Sequence, residues 1–359
     1  MAAHNLNYHI TSNRGIAVNS NWQAFLVAQG ATVTADGVTD FGDPAAELAA
    51  VDGDLLCDRS DQGLLQVGGS DAQSFLQGQF SNDVREVTEE HAQLSSYCSP
   101  KGRMLAIFQL LLHEGNYLLR LPLVLTDAVE QRLQKFRLMS KVTLRRADDL
   151  VSFGCSGAAA ATALAAACGP LPSATDGVVH YDGVTIVRVA GSLPRFELYG
   201  SDTALQPLWQ AVAAVARPVG RHCWALLDLR AGLPTIEPQT VEAFVPQMAN
   251  LQLVNGVSFR KGCYPGQEVV ARMQYLGSLK RRMYLAHIEA DEVAAGDPLY
   301  AETSRSGQGA GRVVSAQPAP EGGYDLLVVA EISCAEEGHL QLGDANGAPL
   351  QLRALPYAF

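Results

Sequence analysis

A strand, a polar turn and a helix opened by Asp or Thr occur twice in this chain, around Tyr117–Val129 and again around Phe196–Leu205. Such a recurrence means that one supersecondary unit has been used twice, each copy needing its own apolar face covered. With 359 residues, 48% of them hydrophobic, the chain exceeds the usual size of one domain. Two or three packed units are expected.

Local patterns fill in both copies. Trp22 to Gln29 and Pro44 to Ala50 read as short helices, and Gly63 to Val67 as a strand. Gly68-Gly69-Ser70-Asp71 is a turn that caps a helix over Ala72 to Leu76, stopped at Gly78, and Phe80 to Val84 reads as a loop. Leu94 to Cys98 and Met104 to Leu112 are apolar runs joined by Ser99-Pro100-Lys101-Gly102, with Pro and Gly at the hairpin-turn positions. His113-Glu114-Gly115-Asn116 turns into a strand Tyr117 to Leu121, and an amphipathic helix follows from Thr126 to Leu138. From Val151 the pattern partly returns, with an Ala-rich helix, a hairpin centred on Asp182-Gly183, a strand Arg195 to Tyr199 and a helix Ala204 to Ala216. Beyond Gly277, short strands at Met283–Ile288, Gly311–Ser315, Tyr324–Ile332 and Leu350–Leu355 predict a small β-barrel or sandwich. The divisions expected are 1–150 and 151–277, each α+β, and 278–359.

Composition excludes several classes. A net charge of -11 argues against an overall electrostatic grip on nucleic acid. Met1 to Asn7 lacks the marks of a signal or transit peptide, and no stretch reaches the roughly 18 apolar residues of a membrane span, so an untargeted cytoplasmic protein is expected. The seven cysteines are dispersed and form no C-x-x-C pair, which suits a reducing compartment and argues against structural zinc or a cluster held by this chain alone. The eight histidines, among them His180 and His222, show no metal-ligand spacing, and no metal site is expected.

The stretch Asn255 to Gly277 carries the chemistry. It reads as a strand or loop, a tight turn and a helix started by Pro265, with Glu268 in the first turn, a Glu268–Arg272 pair, and Val269, Met273 and Leu276 as the core face. Cys263 lies just before that helix N-terminus, beside Arg260 and Lys261. Unsatisfied amides and nearby cations favour a thiolate, while Gly262 and Gly266 allow a sharp turn and a close ligand. The competing reading makes Cys263 a buried turn residue whose flanking glycines are purely structural.

Lys261-Gly262-Cys263-Tyr264-Pro265-Gly266-Gln267-Glu268 resembles the K-G-C-Y-x-G-Q-E signature of the YgfZ family, a branch of the folate-binding superfamily that includes the T-protein of the glycine cleavage system. Gly78 to Val84, Ser99 to Arg103, Asp228 to Pro234 and Phe244 to Leu251 support the resemblance in order along the chain. It implies two related α+β domains around a central cavity for tetrahydrofolate, with a C-terminal antiparallel β-barrel. It also implies a part in iron–sulfur cluster assembly or repair, with a transient iron–sulfur species and client enzymes such as radical-SAM enzymes that thiolate tRNA. Cys263 is then the active residue, Lys261, Gly262, Tyr264, Gly266, Gln267, Glu268 and Arg272 its motif, and Asn82, Lys101, Arg103, Arg230, Gln247 and Asn250 candidate folate contacts.

A folate-dependent aminomethyltransferase and a non-catalytic folate scaffold would use the same fold. The first needs carboxylates that T-proteins place in the strand after the Lys101-Gly102 turn and in the hairpin before Arg195. Arg103 to Gln109 and Ala190 to Pro194 contain none, which argues against that transfer. Spacing argues against a pair between Asp228 and Arg230 and leaves Arg230 for the cavity. Lys280-Arg281-Arg282 reads as a solvated face or an anion contact, and Gly307 to Arg312 as a hairpin turn, since a strand and not a helix follows it.

Overall fold

The computed structural model describes residues 19–275, 277, 279–306 and 309–359. The opening segment Met1–Asn7, Leu276 and Gly307-Gln308 lie outside the described residues. Two α+β layers and a third, all-antiparallel layer make up the chain. The first sheet has five antiparallel strands in the order Gln93–Cys98, Met104–His113, Asn116–Pro122, Gln62–Gly68 and Thr143–Arg146. Met104–His113 is buried along nearly its whole length, as its apolar run, broken only by Gln109 before His113, requires of a central strand. The helix Leu123–Phe136 covers this sheet with Leu125, Val129 and Leu133. It begins three residues earlier than expected because Pro122, at φ -51, already holds the backbone in a helix-entry conformation.

The second sheet has six strands, in the order Val178–Tyr181, Val184–Val189, Arg195–Gly200, Val151–Ser156, Leu55–Asp58 and Arg217–Val219. Leu55–Asp58 pairs with Val151–Ser156, and Trp22 of the helix Ser20–Ala28 packs against Phe153 and Trp209. The sheets therefore do not follow a division at 150: the segment before Arg59 completes the second unit. Its apolar faces, short and unpaired locally, find their cover only across about a hundred residues of chain. Two-residue turns at Glu114-Gly115 and Asp182-Gly183 have positive φ throughout, which is the geometry of a tightly twisted hairpin and explains Gly at the second place in both.

The C-terminal layer is a curled antiparallel half-barrel, in the order Gln341–Leu342, Pro298–Tyr300, Gly311–Pro318, Tyr324–Glu331, Arg281–Ile288 and Gln351–Arg353. Met283, Leu285, Val314 and Val329 pack onto the first unit's core. The two α+β sheets meet through Leu64, Leu111, Leu118, Val187 and Tyr199. Among the described residues no helix is long and apolar enough to cross a membrane.

Candidate functional site: a central cavity and a cysteine turn

Where the three layers meet lies a cavity of about 710 Å³, lined among others by Asn82, Gln93, Gln109, Asp176, Ser156, Arg195, Asp228 and Arg230. This is the size of a pocket for a small organic ligand. Beneath it runs a buried ionic network. Glu197 accepts from Arg59 at 2.8 Å, from Arg120 at 3.1 Å and from the Tyr199 hydroxyl at 2.5 Å. Burial alone would raise the Glu197 carboxyl, but Arg120 and Arg59 outweigh it and hold the group below its ordinary value. Arg195 stacks 4.4 Å over the buried Trp224 ring and reaches Asp228 at 2.6 Å. Arg103–Gln109 and Ala190–Pro194 bring no carboxylate to the cavity wall; Asp176 and Asp228 line it from other segments.

The wall is not fully paired. Both amide atoms of Gln93, Ser156 Oγ, and the Nε atoms of Arg120 and Arg195 are buried with no hydrogen-bonding partner. Native folds leave few such atoms, because each costs about 1–3 kcal/mol. Clustered around one cavity, they fit a polar ligand that supplies both donors and acceptors, which is the character of a folate ring system.

Of the expected folate contacts, Asn82 and Arg230 line the cavity, and both are already engaged. Asn82 Nδ2 donates to the Asn255 and Leu94 carbonyls at 2.7 and 2.9 Å, so it ties the wall together. Arg230 makes no pair with Asp228; its guanidinium spans Asp325 at 3.0 Å, Asp52 at 3.3 Å and Glu321 at 3.7 Å. Lys101, Arg103, Gln247 and Asn250 stand away from the cavity. Lys101 is exposed at a hairpin tip, and Arg103 donates to the Ala243 carbonyl at 2.6 Å in a separate groove that Lys280 and Arg281 also line. Gln247 and Asn250 are buried and donate to the Val270 and Met283 carbonyls, so they fasten the cysteine segment and the half-barrel. Arg282 lies 4.1 Å over the Phe359 ring, and Arg281 pairs with Glu331. His287, Glu321 and Asp325 come within 4.8 Å of one another, but Arg230 and Arg353 already supply the countercharge there.

Cys263 is exposed, whereas Cys168 is half-buried and the other five are buried. Burial pushes the Cys98, Cys155 and Cys223 thiols up to about 12, which leaves them inert at neutral pH. Cys263 does not line the cavity. Lys261 turns away from it: its ammonium is buried and donates to the carbonyls of Gln77, Phe80 and Asn82 at 2.7, 2.5 and 3.0 Å. Of the two adjacent cations expected from sequence, Lys261 is therefore spent on a clamp between the cysteine turn and the loop that carries Asn82, while Arg260 is exposed. Burial pulls this amine down to about 8, with Asp83 opposing. Tyr264 is buried with its ring 5.1 Å from the Lys261 Nζ, and Gln267 donates to the Lys261 carbonyl.

The helix after the turn is Gln267–Tyr275, so Pro265 precedes it by two residues. Its core contact is Val270; Val269 is exposed, Met273 is half-buried, and Glu268 and Arg272 make no ion pair among the described residues. Just before the helix, Gly266 at φ +82 has its Cα against Gly102: a Cβ there would meet the Ser99 carbonyl at 2.4 Å. Val269 packs over Gly102 of the same hairpin, and Val270 enters the first unit's core. Gly262 has open space around it.

No family model matches the chain. The fold is that of the aminomethyltransferases: the crystal structure of glycine cleavage system aminomethyltransferase T from Bartonella henselae superposes with a TM-score of 0.75, covering 93% of this chain and 96% of that one at 18% identity. Curated relatives narrow this. The tRNA-modifying protein YgfZ of Sodalis glossinidius is 30% identical over 304 residues, 84% of this chain and 93% of its own. That of Pectobacterium carotovorum is 31% identical over 303 residues, 84% and 91% of the two chains, and that of Klebsiella pneumoniae 31% over 299, or 83% and 91%. The chain belongs to the YgfZ family.

Proposed function

We propose that this protein is a tetrahydrofolate-binding accessory factor for tRNA modification, acting in the cytoplasm on iron–sulfur client enzymes through the Cys263 thiol. The observation that carries the folate half is the cavity wall with its unpartnered buried atoms from Gln93, Ser156, Arg120 and Arg195. Those residues, with Asp176 and Asp228, would hold the ring system; bound, the folate supplies a one-carbon acceptor. The tRNA half rests on the relatives' name, and the thiol half on the exposure of Cys263 within the signature. Lys261 connects the two halves, because its clamp joins the turn of Cys263 to the loop of Asn82 at the cavity.

Replacing Cys263 by Ser tests the thiol. In a strain lacking its own factor, the variant is expected to fold, to bind folate as the wild type does, and to leave the thiolated tRNA nucleosides at the level of the deletion. Full restoration by Cys263→Ser would remove the thiol from the account. Turnover of an aminomethyl-loaded carrier protein to methylene-tetrahydrofolate would instead support a transferase.

A further inference from the structure

Gln93 opens its strand at the cavity with 4% of its surface exposed, and neither Nε2 nor Oε1 has a partner. Close by, the segment 90–93 of the first unit is bridged to 176–178 of the second: Ala92 N–H donates to the Asp176 carbonyl at 2.8 Å and Val178 N–H to the Glu90 carbonyl at 2.9 Å. Asp176 also lines the cavity. Its carboxylate accepts from Gln109 Nε2 at 3.3 Å, Gln109 accepts in turn from Arg120 at 3.1 Å, and no cation pairs with Asp176 among the described residues. The other lining aspartates, Asp52 and Asp228, are each tied to an arginine.

A carboxamide presents one donor and one acceptor side by side in a plane. The group that satisfies both at once is another amide edge, such as the N–H and C=O of a cyclic lactam. A carboxylate on the bridged segment that holds only the Gln109 amide has room for a further N–H donor, as an exocyclic amino group provides. We propose that Gln93 and Asp176 form a recognition site, built across the seam of the two units, for the lactam and amino edge of a planar nitrogen heterocycle. The inference rests on the folate reading for its ligand, since the 2-amino-4-oxo edge of the pterin ring carries this pattern. Gln93 would pair with N3–H and the 4-oxo group, and Asp176 would accept from the 2-amino group. The pair would set which ring is accepted, and the ligand would bridge both units.

The test is calorimetric titration of the protein with 5-formyltetrahydrofolate and with the matched pair folic acid and aminopterin, which carry 4-oxo and 4-amino groups on the same ring, repeated on Gln93→Leu and Asp176→Asn. The wild type is expected to favour folic acid over aminopterin by tenfold or more, which is about 1.4 kcal/mol. Gln93→Leu should lose that preference together with at least tenfold in affinity, and Asp176→Asn should weaken both members of the pair. Melting curves identify a variant that fails to fold, and the wild-type preference is readable without any variant. Wild-type binding of folic acid and aminopterin alike, or variants that bind as the wild type does, would overturn the recognition site while leaving the folate reading intact. Absence of saturable wild-type binding would overturn both.

Discussion

Asp176 sits in a left-handed conformation, φ +62, with burial raising its carboxyl to about 6 against a weak opposing pull from His91. A raised acid binds its proton more tightly folded than unfolded, so the stability it contributes is full below about pH 4 and is lost as pH rises through 6. At pH 7 the charged form is a burden of at most about 3 kcal/mol. Asp176→Asn should therefore stabilise the fold near neutrality, with the difference vanishing at pH 4 in urea titrations; a residue with a purely structural role would destabilise when changed. Lys261 makes the opposite case. Lys261→Met leaves three carbonyls without their donor and should lower stability by about 2–4 kcal/mol, read by the same titrations. At this scale the family was legible where its motif is contiguous, as in Lys261 to Glu268. The sequence was silent on Gln93 and Asp176, which acquire meaning only when distant segments bridge. It misdirected at Lys261, because adjacency along the chain does not say where a side chain points.

Turns and caps were the most readable elements, since Gly and Asp at positive φ act within a few residues: both two-residue hairpin turns stand where Glu114-Gly115 and Asp182-Gly183 indicated. Helix faces were less so. The helix Gln267–Tyr275 is too short for its periodicity to decide between Val269 and Val270; the structure buries Val270 and sets Val269 against Gly102 of another hairpin. Gly266→Ala tests that contact. Its φ of +82 and a Cβ only 2.4 Å from the Ser99 carbonyl predict a loss of about 1–3 kcal/mol and a displaced cysteine turn, seen as a lower melting temperature and as faster amide exchange in the helix. Asp71 shows a similar limit: it stands at the expected helix N-cap, yet its carboxylate accepts from the Lys141 amide and not from the helix.

For the whole molecule, the order of α+β units and half-barrel followed from recurrence and strand spacing, but the membership of Leu55–Asp58 did not. A four-residue apolar strand carries no mark of its partner, and pairing with Val151–Ser156 is settled by which sheet leaves an edge open. The same assembly step builds the Arg59–Glu197–Arg120 network from three separate segments. Glu197→Gln would leave two buried guanidiniums without their shared countercharge, at a cost of about 3–5 kcal/mol in denaturant titrations. The cavity above that network gathers its wall from every layer, so a ligand there should tighten the whole assembly. At a hundredfold excess over its dissociation constant, the ligand would add about 2.7 kcal/mol of stability. The most direct test is calorimetric titration of the wild-type protein with 5-formyltetrahydrofolate. One-to-one saturable binding, accompanied by a rise in melting temperature, is the predicted result; no saturable heat up to millimolar ligand would contradict the assignment of the cavity to folate.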